Sequence, residues 1–214
     1  MRSGGNSRRG PRSRGALVAG FVRGDAAPVD YAAAIAVERD QYGPFNLIVG
    51  DRTSAAGASS TSAQAWSFRP GVHVLSNGPP HADWPKVRRL RERFEALLQG
   101  DSFLHDSMQA EAGRAASAHI GAAATSTPSD RSTIAESALL DLLADTGGAP
   151  DDELPETGVG LELERRLAPI FIVGPQYGTR ASTLAYARSD GGCVLVERSF
   201  GPGGVSLGAV RVET

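Results

Sequence analysis

Two β-rich runs at residues 182–187 and 193–198, joined by Ser189-Asp190-Gly191-Gly192, constrain this chain more than any other feature. Both runs are dense in apolar and β-branched side chains, and the Asp-Gly-Gly linker supplies the positive-φ positions of a tight turn. The pattern therefore predicts an antiparallel hairpin whose register is fixed by its turn. Ahead of it, Gly174-Pro175-Gln176-Tyr177-Gly178-Thr179-Arg180 reads as a loop that delivers the guanidinium of Arg180 to the lip of the sheet. A planar, permanently charged fork there suits a carboxylate, a carbonyl oxygen or a buried structural acid.

The remaining elements read as follows. Ser13 is placed to cap a helix over residues 14–23 that Gly24 stops, and Asp30 to cap a helix over 31–40 with Tyr31, Ala34, Ile35 and Glu38 on one face. Residues 45–51 predict a strand apolar enough to be covered on both sides. The Ser/Ala/Gly/Thr run at 53–63 reads as a loop without packing content. Residues 65–68 and 72–77, flanking Arg69-Pro70-Gly71, read as a second hairpin.

A helix over 84–99 carries Val87, Leu90, Phe94, Leu97 and Leu98 as an apolar stripe. Its basic residues either bind acidic partners or pair with Glu92 and Glu95 in solvent. Residues 107–118 predict a helix. Another is predicted at 134–144, with Thr133 and Glu136 at the capping-box spacing. An acidic loop at 145–160, a short helix at 161–168 and an edge strand at 205–212 complete the chain. The succession of elements predicts an α+β fold with largely antiparallel sheet.

Composition narrows the function classes. A net charge of −2 argues against a chain-wide nucleic-acid or anionic-membrane role. A lone Cys193 excludes an internal disulfide and makes the cytoplasm the default compartment. Four scattered histidines offer neither metal-ligand nor haem-ligand spacing, so no cofactor is implied. No apolar run reaches transmembrane length. Residues 1–12 read as a basic, disordered arm preceding a single domain at 13–214; Ala16 to Val22 is too short and interrupted for a signal peptide.

Individual polar residues keep two readings. Asp51 suits a turn or a site, and His73 a hydrogen-bonded sheet position or a ligand. The amide of Asn77 can donate to an oxyanion and accept from a substrate N–H, or can serve the turn before Gly78.

Three motifs carry a family resemblance. Ser13-Arg14-Gly15-Ala16-Leu17-Val18 behind Asn6, Leu75-Ser76-Asn77-Gly78 leading into Trp84-Pro85-Lys86-Val87, and Tyr177-Gly178-Thr179-Arg180-Ala181-Ser182-Thr183 lie in this order. Together with the Phe45-Asn46-Leu47 core they resemble the NRDE family, the transport-and-Golgi-organisation proteins. That resemblance implies an α-β-β-α sandwich of the N-terminal-nucleophile-hydrolase type. There a Cys at the mature N-terminus attacks an amide while Asn and Arg side chains orient the substrate.

By that analogy Asn77 is an oxyanion or substrate-orienting group, Arg180 a site-organising cation and Asn6 a second amide donor. Asn77 and Arg180 are then expected to converge on a common pocket. The family's Met-Cys start and Asn-Arg-Asp-Glu motif do not occur among these residues. The expectation is therefore a start in mid-domain, with unpaired strand edges and poor solubility. The resemblance leaves two roles: non-catalytic handling of a small molecule such as haem or a lipid, or amide hydrolysis with a Cys supplied from outside this sequence.

Overall fold

The computed structural model describes residues 11–100, 128–188 and 190–214; the helix expected at 107–118 and the candidate Asn6 lie outside them. Two compact units divide the chain, Met1–Ala82 and Asp83–Thr214. The described residues form helices and two three-stranded antiparallel sheets, an α+β composition.

In the first unit, helices α1 (Gly15–Arg23) and α2 (Pro28–Val37) precede a sheet of β1 (Asn46–Gly50), β2 (Ala55–Ser59) and β3 (Trp66–Ser67), with β2 central. Ser13 Oγ accepts from the Gly15 N–H at 3.2 Å, at the start of α1. The second helix starts earlier than Asp30 because Pro28 takes its first turn, where a preset φ and a missing N–H cost nothing. Asp30 sits inside that turn. The buried face is Pro28, Ala32, Ile35 and Ala36 rather than one containing Ala34 and Glu38.

The run at 53–63 is not an empty loop. Its residues 55–59 are the central strand, with Ala56, Ala58 and Ser59 fully buried. Smallness is what the position requires: α2 packs on β2, and a Cβ at Gly57 would fall inside the Trp66 ring. Burial alternates along β1, with Leu47 and Val49 inside and Ile48 54% exposed, so that strand is covered on one face only. Leu17, Ile35, Tyr42, Leu47 and Val49 close the core with the β2 alanines, and Phe21 and Tyr31 pack against it at 5.3 Å between rings.

The expected second hairpin does not form. Trp66 and Ser67 pair back onto Gly57 and Ala56, and residues 72–77 belong to no strand. His73 instead closes the turn, its Nε2 2.7 Å from the Arg69 carbonyl and its ring against Phe68.

The second unit contains α3 (Pro85–Gly100), α4 (Pro128–Leu142), α5 (Leu161–Leu167) and a sheet of β4 (Ala181–Ala187), β5 (Cys193–Phe200) and β6 (Ser206–Glu213) in sequential order. The predicted terminal hairpin is present, in the register Ala181↔Ser199 to Ala187↔Cys193, and β6 is its edge strand.

Among the described residues Arg88, Arg89 and Arg93 of α3 pair with acids outside the helix rather than with Glu92 and Glu95, which are exposed. Arg89 and Arg93 both reach Asp145 at 2.8 Å, and Arg88 reaches Glu153. Glu136 is not a capping residue, since α4 begins at Pro128 and places it in the helix interior. It is buried, accepting from Tyr186 Oη at 2.6 Å and from the Arg211 guanidinium, and so fastens α4 to the sheet.

Candidate functional site

A cavity of about 680 Å3 lies in the first unit. Leu17 and Val18 of α1, with Pro44, Phe45 and Leu47 at the entry to β1, supply its apolar lining. The polar lining comes from Arg14, Asn46, Ser60, Thr61 and the Ser76-Asn77-Gly78 turn. An apolar body beside a few convergent polar groups is the usual composition of a small-molecule site.

Each polar group is held by local folding. Arg14 enters from the start of α1 and donates through Nη1 to the Pro44 carbonyl at 3.0 Å, a neutral partner, and it forms no ion pair among the described residues. Ser60 Oγ accepts from the Phe45 N–H at 3.0 Å, while Ser59 Oγ lies 2.9 Å from Thr61 Oγ1. Asn46 Nδ2 donates to the carbonyls of Ser76 and Gly78 at 2.7 and 2.8 Å. That half-buried amide replaces the strand pairing which residues 72–77 do not make.

Asn77 is exposed on the cavity wall, and its Oδ1 accepts from Ser76 Oγ at 3.0 Å. The amide N–H2 of Asn77 donates to no partner among the described residues. Arg180 belongs to the second unit, where its carbonyl accepts from the Phe200 N–H at 2.8 Å and its side chain is exposed at the entrance to β4. It therefore does not serve a buried structural acid. Just upstream, Thr179 closes the loop on Ile172 from both directions: its N–H donates to the Ile172 carbonyl at 2.9 Å, and its Oγ1 accepts from the Ile172 N–H at 3.0 Å. A Cβ at Gly178 would stand 2.7 Å from the Ile172 carbonyl, so part of the Tyr-Gly-Thr-Arg motif is accounted for by backbone contact.

Asp51 is a turn residue. Its Oδ1 accepts from the backbone N–H groups of Thr53 and Ser54 and from both hydroxyls, which hold its carboxyl below the usual range. Cys193 is exposed at the start of β5. Of the cavity residues, sequence reasoning singled out only Asn77 as a site residue; Arg14 and Asn46 are among those it missed. Both stand in stretches quoted for the resemblance, but only the folded chain puts them beside Asn77.

The family model described as Transport and Golgi organisation 2 matches residues 2–202. The chain belongs to that family. Among Transport and Golgi organisation 2 relatives, the protein 2 homolog of Bos taurus is 25% identical over 206 residues, covering 90% of this chain and 63% of the relative. The Homo sapiens homolog is 25% identical over 200 residues, covering 88% and 62%. The chain thus spans less than two thirds of the length of these family members. No helix among the described residues is long and apolar enough to cross a membrane.

Proposed function

We propose that this chain is a non-catalytic member of the Transport and Golgi organisation 2 family that handles a small amphipathic molecule, held in the cavity of its first unit with Asn77 as a ligand-binding residue. The observation that carries this reading is the cavity itself: its volume lies in the range of small-molecule sites, and its apolar lining adjoins the Arg14 cation and the Asn77 amide. Between haem and an acyl lipid, the lining favours the lipid. The described lining residues include no His, Cys, Met or Tyr with which to ligate iron.

The test is a pair of titrations on the 214-residue chain, one with a long-chain fatty acid fluorescent at its methyl end and one with haem followed by absorbance. Saturable enhancement of the fatty-acid probe, abolished by filling the cavity with Leu47→Trp in a variant that keeps its circular dichroism, is expected. Absence of saturation with either probe overturns the reading.

A second reading keeps the α-β-β-α amide-hydrolase architecture, with Asn77 as oxyanion donor, Arg180 as site-organising cation and Asn6 as a further amide donor. It is supported by the amide N–H2 of Asn77, and by an Arg180 that enters no ion pair among the described residues. It requires a nucleophilic Cys with a free amine, a role that Cys193 within β5 does not fill. Turnover of an N-acyl amide by a longer chain bearing Met-Cys, lost on Asn77→Ala, would favour it.

A further inference from the structure

We infer that the cavity of the first unit selects molecules ending in a single anionic group, with Arg14 as the anchor for that group. The inference rests on the carrier reading above and adds to it the charge and placement of the ligand's head. Three observations combine. Arg14 lines the cavity, is exposed, and the one hydrogen-bond partner of its guanidinium among the described residues is the neutral Pro44 carbonyl at 3.0 Å. The neighbouring basic residue behaves differently: Arg12 is taken by Glu38 at 2.6 Å and stacks on the Tyr42 ring at 5.0 Å, so it is spent on structure.

Finally, no Asp, Glu or Lys appears among the described lining residues, which leaves Arg14 as the one formal charge in that lining. A guanidinium has five N–H donors, and the contact with Pro44 uses one nitrogen, so a fork remains for an incoming oxyanion. The same lining combines Arg14 and Asn77 with the apolar Leu17, Phe45 and Leu47, so an anionic head and an apolar tail would each find a partner in it. A single cation matches a singly charged head better than a dianion, which would carry uncompensated charge into a partly apolar cavity. Carboxylate is the head chemistry that best fits a planar fork.

The experiment compares four probes of one chain length on the full 214-residue protein: a fluorescent fatty acid, its methyl ester, the corresponding alkyl phosphate dianion and the corresponding primary amine. Wild type is expected to bind the acid at least about ten-fold tighter than the ester, the loss that accompanies removal of one charge-assisted hydrogen bond. Arg14→Gln is expected to abolish that preference while leaving ester binding in place; Arg14→Lys should restore part of it, and Arg52→Gln, which removes an exposed charge outside the cavity, should change nothing.

Equal binding of acid and ester by wild type, or an acid preference that survives Arg14→Gln, overturns the anchor while leaving the carrier reading standing. Tighter binding of the phosphate than the acid overturns the assignment of a singly charged head. Failure of every probe to bind wild type overturns the carrier reading, and the anchor with it.

Discussion

Asn46 brackets Asn77: one side-chain nitrogen of Asn46 donates to the carbonyls on either side of it, those of Ser76 and Gly78, at 2.7 and 2.8 Å. The Phe-Asn-Leu stretch at the start of β1 and the Leu-Ser-Asn-Gly stretch thirty residues later are thus one device. The first contains the amide that fixes the turn, and the second places Asn77 in the cavity lining.

Removing that amide should loosen the turn. Asn46→Ala is expected to cost about 1–3 kcal/mol, because two partly buried carbonyls lose their donor. Asn46→Asp should cost more, since a carboxylate would face those same carbonyls. Urea unfolding gives the stability change. Binding of the acyl probe should fall further in Asn46→Ala than in an equally destabilised core variant such as Ile35→Val.

Gly57 is predicted to tolerate no side chain. A Cβ there would collide with Trp66, and the overpacking is expected to cost at least about 1–3 kcal/mol in Gly57→Ala. Displacement of the ring would appear as a change in Trp66 emission, isolated from Trp84 in a Trp84→Phe background.

The Glu136, Tyr186 and Arg211 cluster is predicted to hold α4 on the second sheet. Tyr186→Phe should cost about 0.5–1.5 kcal/mol, the net value of one hydrogen bond. Glu136→Ala should cost more than Tyr186→Phe, because it removes the acceptor of Tyr186 and the buried partner of Arg211, which keeps only Glu213. Loss of near-ultraviolet ellipticity ahead of helix signal on mild heating would check the role of the cluster in tertiary packing.

Acid should destabilise the protein through identifiable carboxylates. Hydrogen bonding from Arg188 and the Gly192 N–H holds Asp190 at about 2. Burial tends to raise Asp145, yet the Gly147 N–H, Arg89 and Arg93 together bring it below its usual range. A carboxyl whose folded pKa is depressed stabilises the fold above its unfolded pKa, near about 3.9, and loses that contribution as pH falls through the folded value. Stability should therefore be flat above about pH 5 and decline towards about pH 2. Asp145→Asn is expected to be less stable than wild type at pH 7 and closer to it at pH 2.5, as read by urea midpoints at each pH.

The hairpin at β4 and β5, the edge strand β6, the helices at α1, α3 and α5 and the membership of the family were legible in the residues, because turn chemistry, periodicity and short motifs are local. What failed failed where a neighbour decides. The 55–59 segment looked like filler because nothing in an Ala/Gly/Ser run announces that a Trp ring and a helix will close on it. Residues 72–77 alternate like a strand, yet β3 already pairs with β2, and the backbone there is held by a side chain instead.

Glu136 had the spacing of a cap and became a buried partner of Tyr186 and Arg211, residues at least fifty positions away. By itself the sequence determined the α+β class, the terminal hairpin and Asn77 as a candidate. Tertiary structure alone decided that Asn77 shares a cavity with Arg14 and is bracketed by Asn46. The approach of side chains separated by thirty or more residues depends on how elements pack, and no local pattern encodes it.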